Sequence, residues 1–254
     1  MLINKRAKRI LQILESEGSV NVTDLSVKLD VSEATIRRDL DALHKEQKLK
    51  RVHGGAIIIE GHVNEPPVQK RIRQFENEKK AIAVATSNLI DKGDTLFLGS
   101  GTTTLEVAKL IKNRQDLTIV TNSLLVAHLI AISGIAELIF VGGFLRREEL
   151  SFIGHITEQA LGEINVDKII IGIPAIDVKE GLSNDYLPEV MTDRTIINLC
   201  PELIIIADHT KFGKTASAFL APLNRISKLV TDKKVNPQII KQIRSVGITV
   251  IIAD

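Results

Sequence analysis

The sequence predicts an α/β protein with a small α+β N-terminal domain, in which a winged helix-turn-helix is joined to a domain built on a mainly parallel sheet. Three observations carry this. Residues 1–59 hold three segments of helical apolar spacing, then two short strand-like runs around Gly54-Gly55. Beyond residue 90, apolar runs alternate with helical segments. Between them, residues 60–75 hold Gly61, Pro66, Pro67 and the start of a charged run, and read as a linker; the second domain is then 76–254.

The first helix spans about Lys5 to Glu17, with Ala7, Ile10, Ile13 and Leu14 on its inner face and Gly18 ending it. The second starts near Asn21, where Asn21 and Asp24 resemble a capping box, and turns Val22, Leu25 and Leu29 inward. Val31-Ser32 is the turn, and Ser32 is the expected N-cap of the third helix. That helix buries Ile36, Leu40 and Leu43, which leaves Ala34, Arg38 and Lys45 on the opposite face and Thr35 and Arg37 on its flanks. Small residues and paired arginines on such a face suit a DNA major groove. Leu49 to Ile59 reads as two strands around Gly54-Gly55, and Lys48, Lys50, Arg51 and His53 make that hairpin cationic, as phosphate contact requires. The bland alternative is that Arg37 and Arg38 merely pair with Glu33, Asp39 or Asp41.

A helix from about Glu76 to Ile90 opens the second domain. The runs at 95–99, 117–121, 137–142, 168–173, 202–207, 228–231 and 248–253 are mostly unbroken apolar stretches, as in strands covered on both faces. Polar, glycine-rich segments follow several of them. Gly99-Ser100-Gly101-Thr102-Thr103-Thr104 opens a helix; Thr121-Asn122-Ser123 opens another; Gly142-Gly143 precedes Arg146-Arg147. Open parallel sheets bind ligands beyond the carboxyl ends of their strands. A Gly/Ser/Thr loop opening a helix offers N–H groups and the positive dipole end to an anion. One such loop is commonly plain structure; their recurrence points to a phosphate or carboxylate ligand. No Gly-Lys-Ser/Thr follows, and the glycines lack dinucleotide-fingerprint spacing. Asp177, Glu180, Asp185, Glu189 and Arg194 gather after the fourth run, and Lys211 after the fifth could neutralise an anion. For any one of these charges a solvated rim is the plainer reading.

Bulk composition narrows the classes further. A hydrophobic content of 44% with 25% charged residues is that of a globular chain. The net charge is only +2, so DNA binding needs local placement of charge; the first 80 residues hold 16 basic and 12 acidic side chains. The single cysteine, Cys200, permits neither an internal disulfide nor a cysteine-based zinc site, which suits a cytoplasmic protein. His44, His62, His128 and His155 have no metal spacing, and no cofactor or metal is expected. Glu15 and Glu17 interrupt any apolar signal region. Leu124 to Val141 reads as a helix followed by a buried strand, not a membrane span.

With these segments in view, the chain resembles the DeoR-type family of bacterial transcriptional regulators along nearly its whole length. The resemblance is carried by VSEATIRRDL with RVHGGA, LGSGTTTLEVA, LTIVTNSLLVA, VGGFLRREELSFIG and LIIIADHTKFGK. It implies a winged-helix DNA reader joined to a sensor domain similar in fold to sugar-phosphate isomerases. It also implies repression of carbohydrate uptake or catabolism genes, a phosphorylated sugar or related intermediate as effector, an operator in double-stranded DNA, and a homo-oligomer. The chain departs from the family pattern at Gln47 and Pro174-Ala175, often glycine; at Gly99, often Asp; and at Asp193, often Lys.

The expected DNA contacts are Ser32, Thr35, Arg37, Arg38, Lys50, Arg51 and His53. The expected effector contacts are Gly99 to Thr104, Thr121, Asn122, Ser123, Gly142, Gly143, Asp177, Glu189 and Lys211. The rival expectation is an isomerase-like enzyme with an attached DNA-binding domain. It needs a carboxylate base beside the substrate carbons, which Asp177, Glu180 or Glu189 could supply, but no tight catalytic signature surrounds them.

Overall fold

The computed structural model describes residues 5–17, 19–45, 48–52, 54–57, 65–199 and 201–254. The chain divides into two compact units, residues 1–61 and 62–254.

The N-terminal unit contains α1 (Lys5–Glu17), β1 (Ser19–Asn21), α2 (Val22–Leu29), α3 (Glu33–Lys45), β2 (Lys50–Val52) and β3 (Gly55–Ile57). Its core is the one the apolar spacing requires: Ile10, Leu14, Val22, Leu25, Ile36, Leu40 and Leu43 are all buried. Each such side chain contributes on the order of 1.5–3 kcal/mol. The Asn21 side chain caps α2 by accepting from the Asp24 N–H at 2.7 Å. Ser32 caps α3, its Oγ accepting from the Thr35 N–H at 3.3 Å. The strands form an antiparallel sheet in the order β1-β3-β2. Sequence reading missed β1, whose three residues are too few to show alternation. A Cβ on Gly55 would lie 2.0 Å from the Val20 carbonyl oxygen, so the β1–β3 pairing requires glycine there.

The second unit begins earlier than the linker expectation allowed. The part of the supposed linker that the structure describes, Glu65 to Phe75, folds onto the second unit. It carries a short helix, α4 (Val68–Arg71), with Val68 and Arg71 buried. Pro67 stands directly before this helix, where a proline is compatible with its start.

After α5 (Glu76–Ser87) come β4 (Thr95–Leu98), α6 (Thr102–Ile111), β5 (Thr118–Thr121), α7 (Leu124–Ser133) and β6 (Glu137–Phe140). A hairpin of β7 (Phe144–Arg146) and β8 (Ser151–Ile153) leads into α8 (His155–Leu161) and β9 (Lys168–Gly172). Then follow β10 (Ala175–Asp177), β11 (Gly181–Asn184), α9 (Leu187–Ile197), β12 (Leu203–Ala207), β13 (Ala218–Ala221), β14 (Lys228–Asp232), α10 (Pro237–Ser245) and β15 (Thr249–Ala253).

The seven apolar runs form one parallel sheet, ordered β15-β14-β12-β9-β4-β5-β6. Alternate residues of each strand enter opposite cores. Phe97, Ile169, Ile171 and Ile205 face one apolar layer; Leu96, Leu98, Ile170 and Ile204 face the other. That two-sided burial explains the unbroken apolar runs. One expectation fails here: β6 is the edge strand rather than a buried one, and its Ile139 and Phe140 are 41% and 40% exposed. The small antiparallel sheet β10-β11-β13 and the β7–β8 hairpin were not expected.

Connectivity runs outward from β4 through β5 to β6, then returns to β9 on the other side of β4. The strand order therefore reverses between β4 and β9, and the carboxyl ends of these strands are where an open sheet has its natural crevice. Gly99 to Gly101 follow β4 at that point.

Candidate nucleic-acid interface and strand-end site

In the N-terminal unit, the helical register of α3 places its charges outward. Arg37 and Arg38 are both exposed. Arg37 is paired with Glu33 at 2.8 Å, and Glu33 also accepts from Thr23 Oγ1 at 2.9 Å. Arg38 has no partner among the described residues, because Asp39 is taken by Arg6 and Asp41 by Arg51. The ion-pairing alternative thus holds for Arg37 and fails for Arg38. Ser32 Oγ and Thr35 Oγ1 lie 2.9 Å apart at the start of the helix.

On the wing, Lys50 is exposed. Arg51 is not the free phosphate ligand expected of it. It donates to Asp41 at 2.9 Å and to the Gly55 carbonyl at 2.7 Å, which fastens the wing to α3. His53 and Gln47 lie outside the described residues.

In the second unit, the switch-point loop joins β4 to the start of α6. Gly101, at φ 118°, lets the chain turn from β4 into α6. The first N–H groups of a helix have no preceding turn to donate to. The hydroxyls of Ser100, Thr102 and Thr103 have no partner among the described residues, whereas Thr104 Oγ1 donates to the Gly101 carbonyl at 2.9 Å. Gly99 is tightly enclosed: a Cβ there would lie 2.7 Å from Ile171 Cγ2. With Ile171 in that position, an aspartate in place of Gly99 would not fit without rearrangement.

The neighbouring loop divides its labour. Thr121 Oγ1 donates to the Leu98 carbonyl at 2.6 Å and accepts from the Ser123 N–H. Ser123 caps α7. Both hydroxyls thus hold the loop in shape. Asn122 differs: its Nδ2 donates to the Phe152 carbonyl at 2.9 Å, and its buried Oδ1 has no partner among the described residues. Gly142 and Gly143 are fastened by α8, whose Thr157 Oγ1 donates to the Gly142 carbonyl at 2.8 Å.

The charges expected to cluster after β9 separate instead. Asp177 closes the β10–β11 turn by accepting from the Lys179 and Glu180 N–H groups at 2.8 and 3.0 Å, so it has a structural role. Glu180 is exposed, Asp185 accepts from Ser217, and Arg194 donates to the Phe219 carbonyl. Only Glu189 enters a buried network. It meets Arg146, Ser151 Oγ at 3.0 Å and Asn184 Nδ2 at 3.0 Å. Arg146 also lies 4.4 Å from the centre of the Tyr186 ring. Asp193 is close by; burial, then the charge of Glu189, hold its carboxyl well above the usual range.

A second network was not foreseen. Lys211 meets Glu65 rather than standing free. Glu65 also pairs with Arg71 at 2.8 Å, and Arg71 pairs with Glu149. Burial pushes Glu149 up to about 7 despite Arg71, with Glu189 and Glu65 adding repulsion. Lys79, whose Nζ donates to the Arg71 carbonyl at 2.6 Å, is lowered by burial to about 8. No sequence spacing could have signalled these pairs.

Among the described residues, no helix is long and apolar enough to cross a membrane. Comparison with known proteins agrees with the two-unit architecture. Residues 6–62 match the DeoR-like helix-turn-helix domain and residues 74–233 match the DeoR C terminal sensor domain. Transcriptional repressor AccR of Agrobacterium fabrum is 34% identical over 228 residues, covering 89% of this chain and 88% of that protein. The glycerol-3-phosphate regulon repressor of Escherichia coli strain K12 is 33% identical, covering 90% of each. Among solved structures, ribose 5-phosphate isomerase a from Methanocaldococcus jannaschii aligns with a TM-score of 0.41 at 16% identity, over 55% of each chain. The helix-and-wing unit, the parallel-sheet unit and these full-length relatives lead to one conclusion: the chain belongs to the DeoR family of transcriptional regulators.

Proposed function

We propose that this protein is a DNA-binding transcriptional repressor of carbohydrate uptake or catabolism genes, whose hold on its operator is set by a phosphorylated sugar or related intermediate. The observation that carries the DNA-binding reading is the outer face of α3. There Arg38 is exposed and unpartnered among the described residues, at a helix matched by a DNA-reading family. Thr35, Arg37 and Arg38 would meet bases and backbone; Lys50 would meet phosphate beside the wing. Ser32 and Arg51 act by holding that surface in shape, and His53 completes the proposed set.

The effector reading is supported by the loop at the switch point. Ser100, Gly101, Thr102 and Thr103 offer free hydroxyls and helix-terminal N–H groups to a phosphate. Asn122 Oδ1 is a buried acceptor that a sugar hydroxyl would satisfy, and an unmet buried acceptor costs about 1–3 kcal/mol. Gly99, Thr104, Thr121, Ser123, Gly142 and Gly143 shape the crevice. Glu189 and Lys211 would take part through the charged networks they belong to, and Asp177 would act only by holding the β10–β11 turn in shape. The isomerase alternative is not favoured, since the full-length relatives are named as transcriptional repressors. In this reading the protein works in the cytoplasm as a homo-oligomer, so that paired readers meet repeated half-sites.

The test is fluorescence anisotropy with the full chain and fragments of the DNA upstream of its own gene, at fixed salt, with and without a panel of sugar phosphates. At least one fragment should bind on the order of a thousandfold more tightly than random DNA. At least one sugar phosphate should change that affinity by roughly fivefold or more. A folded protein that does not discriminate among fragments sinks the regulator reading. Discrimination that no sugar phosphate alters sinks only the effector reading.

A further inference from the structure

The segment Glu65 to Phe75 lies across loops at the carboxyl ends of the strands and is held there by ion pairs, a backbone hydrogen bond, a ring contact and the buried Val68 side chain. The Val68 N–H donates to the Glu148 carbonyl at 2.7 Å, which ties the segment to the β7–β8 turn. Arg71 is buried; its Nε donates to the Pro66 carbonyl at 2.8 Å, and its other nitrogens meet Glu65 and Glu149. Phe75 adopts φ 51°, a conformation rare for a bulky residue. Its ring meets His209 edge-on at 5.2 Å, in the loop after β12. Glu65 stands four positions after Gly61, the last residue of the N-terminal unit. Its carboxylate bridges Arg71 and Lys211. So the first described residue of the segment leading back to the DNA reader is fastened to a cation of the strand-end loops.

Lys211 follows β12, and the anion-binding loop follows β4 with only β9 between them. Neighbouring strands are about 4.8 Å apart, so the two strand ends are roughly 10 Å apart. An anionic ligand held at the β4 loop and reaching across β9 meets Lys211, where Glu65 already sits. A phosphate carries about −1.5 to −2 charges at neutral pH against one on a carboxylate, and it brings more acceptor oxygens. It is therefore the stronger partner for the same cation.

Resting on the effector reading above, we propose that Glu65 is a built-in competitor for the effector's anionic group, so that a phosphate reaching Lys211 displaces it and unfastens the segment joining sensor to DNA reader. The coupling is local: one carboxylate is exchanged for another anion. It satisfies the requirement that a ligand shift an equilibrium only through contacts that differ between two states. Arg71 keeps its contacts with Glu149 and the Pro66 carbonyl when Glu65 leaves, so the buried guanidinium is not left without a partner.

The test uses the full chain, with inorganic phosphate and ribose 5-phosphate as probes in calorimetric titration. Removing the competitor with Glu65→Gln should tighten binding of at least one probe by roughly fivefold to tenfold, the size expected of a partly buried ion pair. Glu76→Gln, which breaks an exposed pair with Lys80, should bind as the wild type does. Equal affinities for Glu65→Gln and the wild type overturn the latch and leave the effector site standing. Failure of the wild type and of Glu65→Gln to bind either probe removes both. A second measurement does not depend on the variant's folding: amide exchange over residues 66–75 of the wild type should rise when either probe saturates it. Unchanged or slower exchange on saturation overturns the latch.

Discussion

Arg37 and Arg38 are adjacent, exposed and of the same charge, yet they are not equivalent. Arg37 already meets Glu33, an exposed pair four residues apart worth about 0.3–0.5 kcal/mol. Arg38 has no such competitor among the described residues. Arg38→Ala should therefore weaken operator binding by roughly tenfold to a hundredfold at fixed salt. Arg37→Ala should weaken it less, because DNA must first draw Arg37 from its carboxylate. Neither change should lower the melting temperature appreciably, since both side chains are exposed. Anisotropy with the two variants decides it, and an Arg38→Ala protein that binds as the wild type does refutes the assignment. Glu149 supplies a pH-dependent counterpart in the second unit. Its carboxyl sits at about 7 against 4.5 for a free one. A raised carboxyl binds its proton more tightly in the folded state, so its contribution is full below pH 4.5 and is lost as pH rises through 7. The displacement corresponds to roughly 3 kcal/mol. Denaturant titrations should show wild-type stability falling relative to Glu149→Gln between pH 4.5 and 7; parallel curves would refute the shift.

At the scale of elements, what the sequence disclosed follows from what each element buries. The seven strands of the parallel sheet were legible because most are apolar on both faces, and α1, α2 and α3 because each buries a single stripe. The burial expected for β6 failed for a local reason: nothing in ELIFVG distinguishes an edge strand from a central one. The strands β1, β7, β8, β10, β11 and β13 are three or four residues long. Several are rich in Gly, Ser or Asn, and such runs show no readable period. The site divides along similar lines. The loop after β4 was legible as a strand-to-helix turn because glycine admits the φ of 118° that Gly101 adopts there. The network around Arg71 was not. Lys211 and Glu65 are 146 positions apart, and Arg71 and Glu149 are 78 apart. A charge that folds onto a remote partner looks, in sequence, like any solvated charge. That is also why Glu65 to Phe75 read as a linker.

For the whole molecule, the two units have separate cores. Ile10, Leu25, Ile36 and Leu40 form one, while the sheet's two apolar layers form the others. Separate cores allow separate unfolding, and a ligand stabilises the unit that binds it by an amount set by its concentration relative to Kd. Calorimetric scans of the full chain should therefore resolve two transitions. Leu40→Ala, which leaves a cavity in the first core and costs about 2–5 kcal/mol, identifies the transition of the N-terminal unit. A bound sugar phosphate at a hundred times its Kd should stabilise the other unit by about 2.7 kcal/mol, and a specific operator fragment should stabilise the N-terminal one. The latch adds an asymmetry. Displacing Glu65 removes one of its own ion pairs from the second unit, so the wild type should gain less from a given phosphate concentration than Glu65→Gln does. A sugar phosphate that raised only the N-terminal transition would place the effector on the wrong unit and end the assignment of Ser100 to Thr103.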